Sequence, residues 1–280
     1  MELEQSASAW RKRGYNIAAI SYDSPAILRY FAEKRKLSYP LLSDPDSKVI
    51  RAFGILNDSI PEKNPFFGIP NPGTYLVNPQ GKVLSKYFED DYTERFTSAD
   101  LLIKEFGLKA IEGIAPPPHQ TEQTKHLQVT SSSTATLVRP GQRIALSLDI
   151  QMAKGMHVYA PGVKGYRPIE WRLKSPPAAA KPHEIAYPKS KVLYLKAIKE
   201  KVPVYEGAFR LVQEITLGNQ RTLKPLLSPA GELVIEGEFE YQACDAKVCY
   251  IPQTIPLRWK LIVEGHDGER APKELRRPGL

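Results

Sequence analysis

Cysteine is scarce in this chain: two residues in 280, both inside the stretch YQACDAKVCY at 241–250. Residues 1–243 hold none. That excludes thiol chemistry from most of the chain, and it excludes the dense disulfide framework of small secreted domains. One intramolecular bridge is the most the count allows, with no odd thiol left over. Histidine is sparse as well. His119, His126, His157, His183 and His266 are scattered and form no H-x-x-x-H pair, so the two cysteines lack the further ligands of a zinc site. A Cys–His hydrolase would leave the second cysteine unexplained. No apolar run approaches about 18 residues, so no membrane-spanning helix is predicted. The opening MELEQ lacks the basic and apolar regions of a secretory leader.

What is present is globular: 42% hydrophobic and 25% charged residues, in a length that suits two domains. The net charge of +8 is uneven. Residues 1–115 carry 15 Lys+Arg against 15 Asp+Glu, and residues 116–280 carry 24 against 16, so the second half accounts for the whole excess. Its lysines (Lys189, Lys191, Lys196, Lys199, Lys201) follow no helical or zinc-finger pattern. They are read as a soluble basic surface rather than a nucleic-acid footprint.

The first 107 residues alternate helix and strand. Helices are expected over 2–13, over 25–35 with Ser24 as N-cap and Pro25 in the first turn, over 46–53 stopped by Gly54, and over 98–106 ended by Gly107. Strands are expected at 15–21 (YNIAAIS), 74–78 and 82–88, the last two joined by Pro79-Gln80-Gly81 as a hairpin. Asp44 and Asp46 read as turn and cap carboxylates. GIPNPG at 68–73 reads as a shaped loop, and Glu89-Asp90-Asp91 as a solvated acidic run. GIAPPPHQTEQTK at 113–125 reads as a stiff linker.

From about residue 127 short β-rich runs recur between Pro and Gly: 127–129, 134–138, 143–150, 157–159, 169–173, 208–217, 233–243 and 253–263. Their number and spacing predict a β-sandwich. KVLYLKAIKE at 191–200 is read as a strand followed by a long loop, and residues 265–280 as a frayed tail. The domain boundaries expected are thus 1–112, a linker 113–125, a sandwich 126–264 and the tail.

The cysteines flank a short turn between two alternating runs, where Cα atoms can approach to about 6 Å and a bridge is feasible. A loop this short gains only about 2 kcal/mol from restricting the unfolded chain. A staple would do better across a longer loop, which tilts the reading towards redox use without deciding it.

Two resemblances sharpen this. YNIAAISYDSP (15–25), YPLLSDPD (39–46), VIRAFG (49–54) and GIPNPGTYLVNPQGKV (68–83) together resemble the peroxiredoxin-like AhpC/TSA (redoxin) branch of the thioredoxin superfamily. That resemblance implies a thioredoxin-like α/β fold. Its reactive cysteine would lie upstream of residue 1, so this half is expected to be an incomplete thioredoxin-like domain, marginal alone, with no peroxidase activity as written. YQAC…CYIP at 241–252, with GMHVYAP (155–161) and VYEG (204–207), resembles the N-terminal domain of the bacterial thiol:disulfide interchange protein DsbD. That implies an immunoglobulin-like sandwich. The family's best-known members place five residues between the cysteines; four stand here.

The second resemblance implies roles. Cys249 matches the cysteine that forms mixed disulfides and Cys244 the one that resolves them. Tyr159 and His157 match the aromatic strand beside the site, with Tyr241 and Tyr250 flanking it. Tyr194 is the candidate for the aromatic cap. Asp245 and Lys247 read as exposed turn residues. The implied function is thiol–disulfide exchange without a cofactor or metal, towards thioredoxin-fold partners or a complete thioredoxin-like domain of the same protein, in an extracytoplasmic compartment such as the periplasm. Two alternatives stay open: a peroxiredoxin-like peroxidase whose reactive cysteine lies upstream, and an interaction sandwich whose bridge is only a staple.

Overall fold

The computed structural model describes residues 2–88, 94–107, 119–195, 199–265 and 271–276. The acidic run at 89–91, linker residues 113–118 and most of the expected tail lie outside them. The chain divides into two compact units, one of residues 1–114 with 266–280 and one of Ala115–Gly265.

The first unit is α/β. Helix Pro25–Arg35 connects two parallel strands, Ala19–Ser21 and Leu41–Ser43. Ser24 caps that helix by accepting from the Ile27 N–H. The expected strand at 15–21 is shorter: only its last three residues find a partner. The expected helix at 46–53 contracts to Lys48–Ala52, because Asp44 starts it from outside. Its carboxylate accepts the N–H groups of Lys48 and Ile50, each at 2.9 Å, which satisfies donors a short helix leaves orphaned. Ser47 donates its hydroxyl to the Gly68 carbonyl at 2.9 Å. A Cβ at Gly68, whose φ is +101°, would stand 2.7 Å from that hydroxyl oxygen, so the GIPNPG loop needs glycine at its start. Gly73–Val77 and Val83–Phe88 form the expected antiparallel hairpin. The two strand pairs remain separate sheets. Helices Glu2–Arg11 and Ser98–Phe106 enclose a small core of Ala9, Trp10, Leu76, Leu101 and Leu102, and Trp10 donates its indole N–H to Ser98 Oγ at 2.7 Å.

The second unit is all β. One sheet runs in the order Ala180–Ala186, Ala208–Leu217, Gln142–Met152, Leu127–Ser133, Gln120–Gln123, antiparallel throughout. A facing sheet orders Glu170–Leu173, Glu232–Tyr241, Gln253–Val263 and Leu137–Val138. Alternate residues of each face inward, among them Ile144, Leu146, Leu148, Ile150, Ile235 and Trp259, as strand periodicity requires. Trp171 stacks on Trp259 with centroids 5.8 Å apart. This two-layer arrangement is the sandwich expected.

Three departures from expectation have a physical cause. The linker expected over 113–125 ends early, since Gln120–Gln123 is a strand. It is wholly polar and sits at a sheet edge, where polar side chains are the rule. Ala180–Ala186 is the opposite edge. Pro182 and a register shift at Pro182/Ile185 hide its alternation, and proline in sheets is confined to such edges. The long loop expected after 195 is instead a hairpin, Lys191–Leu195 with Glu200–Glu206.

That hairpin belongs to a third sheet, in the order Lys191–Leu195, Glu200–Glu206, His157–Tyr159, Ala243–Cys244. Val158, Tyr205 and Ala243 point from it into the main core. Tyr159, Val202, Val204 and Cys244 point the other way and form a separate small cluster. The chain therefore changes sheets between Tyr241 and Ala243, and this carries the cysteine segment out of the sandwich. Among the described residues, no helix is long and apolar enough to cross a membrane.

Candidate functional site

Cys244 and Cys249 are joined in a disulfide, with Cα atoms 4.0 Å apart across an antiparallel bridge. The two sulfurs are not equivalent. Cys244 is 1% exposed, inside the small cluster with Tyr159, Val202 and Val204. Cys249 is exposed. Strand pairing explains the difference: Cys244 is held opposite His157 in the third sheet, while Cys249 lies on the outer side of the turn.

Asp245 builds that turn. Its N–H donates to the Val248 carbonyl at 2.9 Å. Its carboxylate accepts the N–H groups of Lys247 (2.7 Å) and Val248 (2.8 Å) and the Tyr250 hydroxyl (2.9 Å). The Val248 and Lys247 N–H groups, then the Tyr250 hydroxyl, hold the Asp245 carboxyl below its usual range; the same bond pushes the Tyr250 phenol up. Asp245 is therefore spent on the turn. Tyr250 is fixed further by its N–H to the Ala243 carbonyl at 2.8 Å and by its ring, which lies 4.4 Å from the His126 ring with Lys125 Nζ at 5.7 Å.

Tyr159 is 2% exposed, and its hydroxyl reaches Cys249 Sγ at 3.7 Å. Burial, then the charge of Glu200, pushes its phenol up, so it is a proton donor towards that sulfur. Tyr166 packs against Tyr159 with centroids 4.4 Å apart and donates to Glu200 at 2.6 Å. That bond raises the Tyr166 phenol to about 12. His157 is 4% exposed, edge-on to Tyr159 at 5.7 Å, and burial pushes its imidazole down.

The structure thus gathers Cys244, Cys249, Tyr159, His157 and Tyr250. Tyr241 stands apart: its ring is in the sandwich core and its hydroxyl bonds to Thr124 and Gln253. Tyr194, the cap candidate, is 50% exposed and makes no hydrogen bond or ring contact with the cysteines among the described residues. The reason is strand alternation. Leu193, opposite Val202, faces the cysteine cluster, and its neighbour Tyr194 faces away. The aromatic that backs the site is Tyr166, which sequence reasoning missed. Its one signal is its place in GVKGY, just after the HVY strand. His126 was missed too, because it approaches the hairpin only through the fold.

One exposed sulfur and one buried sulfur in a hydrogen-bonded turn, beside a phenol donor, define a dithiol/disulfide site on a β-sandwich joined to an α/β unit. The two family matches agree with that class. Residues 123–257 match the family described as Thiol:disulfide interchange protein DsbD, N-terminal, and residues 1–86 match the AhpC/TSA family. The N-terminal part is 31% identical over 90 residues to Peroxiredoxin Bcp of Escherichia coli, spanning 32% of this chain and 56% of that protein. It is 34% identical over 82 residues to chloroplastic Peroxiredoxin Q of Gentiana triflora, spanning 29% and 35%. The chain spans about half the length or less of these curated relatives. Among solved structures, the N-terminal periplasmic domain of ScsB from Proteus mirabilis is similar at 13% identity and a TM-score of 0.35, over 49% of each chain. The two family matches and the Cys244–Cys249 bridge together support a thiol–disulfide redox function.

Proposed function

We propose that this protein exchanges electrons with thioredoxin-fold partners through the Cys244–Cys249 pair. The observation that carries the reading is the asymmetry of the two sulfurs: Cys249 exposed, Cys244 at 1%. A partner thiolate reaches Cys249 Sγ. The Cys249–partner bond forms, the bond to Cys244 breaks, and its electron pair leaves on Cys244 sulfur. A second thiolate of the partner then attacks the mixed disulfide and leaves this pair reduced; the reverse sequence delivers the two electrons onward. Tyr159 supports the second step by donating towards Cys249 as that sulfur leaves as the thiolate. Val248 and Ile251, 53% and 85% exposed, flank Cys249 and offer an apolar rim for docking, a common feature of interaction sites. The match to the DsbD N-terminal family supports an extracytoplasmic placement, where an oxidised pair persists between exchanges. Residues 1–243 hold no cysteine, so within this sequence the thiol chemistry rests on Cys244 and Cys249.

The test is the reduction potential of the pair, by thiol trapping across a dithiothreitol or glutathione series. Exchange predicts a potential in the range of thioredoxin-like proteins and rapid reduction by a thioredoxin-fold protein. A value below about −300 mV with slow exchange would mark a structural staple.

A further inference from the structure

Tyr159 serves the exposed sulfur; the buried sulfur has a different neighbour. Cys244 lies directly opposite His157 in the antiparallel pairing. Residues so placed point to the same face, with Cβ atoms about 5 Å apart. His157 and Tyr159, two apart on one strand, share that face as well, and their rings touch edge to face. His157 is 4% exposed, and its Nε2 is buried with no hydrogen-bond partner. A buried unpaired ring nitrogen costs stability, and this one belongs to the residue paired with Cys244 on the face that carries the buried sulfur.

We infer that His157 is the proton acceptor for Cys244 when the reduced pair resolves a mixed disulfide. The inference rests on the exchange reading above and adds a role for one residue. Cys244 sits in an apolar cluster, where a thiol resists ionisation, yet only its thiolate attacks. Nε2 takes the Cys244 proton. The new thiolate attacks Cys249 Sγ, the Cys244–Cys249 bond forms, the Cys249–partner bond breaks, and the electron pair leaves on the partner sulfur. The imidazolium then releases its proton to solvent. Two groups tune the imidazole from neighbouring elements: Glu206 from the adjoining strand and Asp245 from the cysteine turn, both favouring its charged form against burial. Burial prevails and keeps the ring neutral, with a lone pair free to accept. Tyr159 keeps its proton and is a donor. Two residues of one strand thus divide the work, one for each sulfur.

The experiment uses the full reduced chain and Ellman's reagent, an aromatic disulfide. Exposed Cys249 attacks it and releases one thionitrobenzoate. Cys244 then closes the bridge and releases the second in a first-order phase. For His157→Gln, the first phase is expected to stay within about twofold of the parent, and the second to slow about tenfold at neutral pH, since lost thiolate is only partly offset by higher nucleophilicity. The gap closes as pH rises and hydroxide replaces the imidazole. A second phase with unchanged rate and pH profile overturns the inference. So does one slowed by the same factor at every pH, which would mark a packing defect. If near-ultraviolet dichroism shows His157→Gln unfolded, His157→Tyr is read in the same assay by the same criteria. Because the oxidant is a small molecule, the outcome does not depend on a protein partner: failure of exchange with thioredoxin-fold proteins would overturn the functional reading and leave this result standing.

Discussion

Replacing Tyr159 by Phe removes one oxygen and leaves the ring that packs on Tyr166. The hydroxyl stands 3.7 Å from Cys249 Sγ in a residue that is 2% exposed, and the Phe ring puts no donor in its place, leaving Cys249 to water alone. A hydrogen bond to a charged acceptor contributes about 1.5–3 kcal/mol. Sulfur is a weak acceptor, which places this bond just below that range, about 1.4 kcal/mol or about a factor of ten in the thiolate population at fixed pH. The thiolate left is the more nucleophilic one, with a Brønsted β of about 0.4–0.5, so alkylation at neutral pH is expected to fall only about threefold to fourfold. The assay is made in a Cys244→Ser background, where Cys249 is the single thiol: thiolate absorbance against pH, then the iodoacetamide rate against pH. Both profiles should move to higher pH on Tyr159→Phe. Superimposable profiles from two folded proteins would refute the role given to Tyr159.

Two further outcomes follow from the same geometry. Burial pushes the imidazoles of His119 and His157 below 6.5. In the window below 6.5 the unfolded chain therefore binds more protons than the folded one, and stability falls as pH drops through it; urea midpoints that stay level from neutral to mildly acidic pH would contradict this. Asp245→Ala removes the acceptor of three hydrogen bonds that shape the turn, so dithiothreitol should reduce the bridge faster than in the parent, and an unchanged rate would show that the turn is held by the disulfide alone.

The sandwich was readable because its central strands alternate cleanly: Ala208–Leu217 and Gln253–Val263 match their predicted bounds. The edges were not readable, since Gln120–Gln123 has no apolar face and Ala180–Ala186 is broken by Pro182. The α/β unit was legible through its caps and turns, with Pro25–Arg35 and Ser98–Phe106 as expected. The site divides along the same line. Both cysteines and the HVY strand stand out locally, whereas the choice between Leu193 and Tyr194 depends on which face of a strand turns inward, and KVLYL is apolar on both. His126 reaches Tyr250 through long-range packing that no local pattern encodes, and Tyr166 is marked only by its place shortly after the HVY strand.

The central claim is that partner thiolates attack Cys249 and expel Cys244. Single-cysteine variants decide it. Each is incubated with a thioredoxin-fold protein carrying an activated disulfide and resolved without reductant. Cys244→Ser, which keeps the exposed Cys249, should accumulate a covalent mixed disulfide rapidly; Cys249→Ser, with its thiol buried at 1% exposure in the native chain, should form it slowly. Equal trapping by both variants, or preferential trapping through Cys244, would contradict the account.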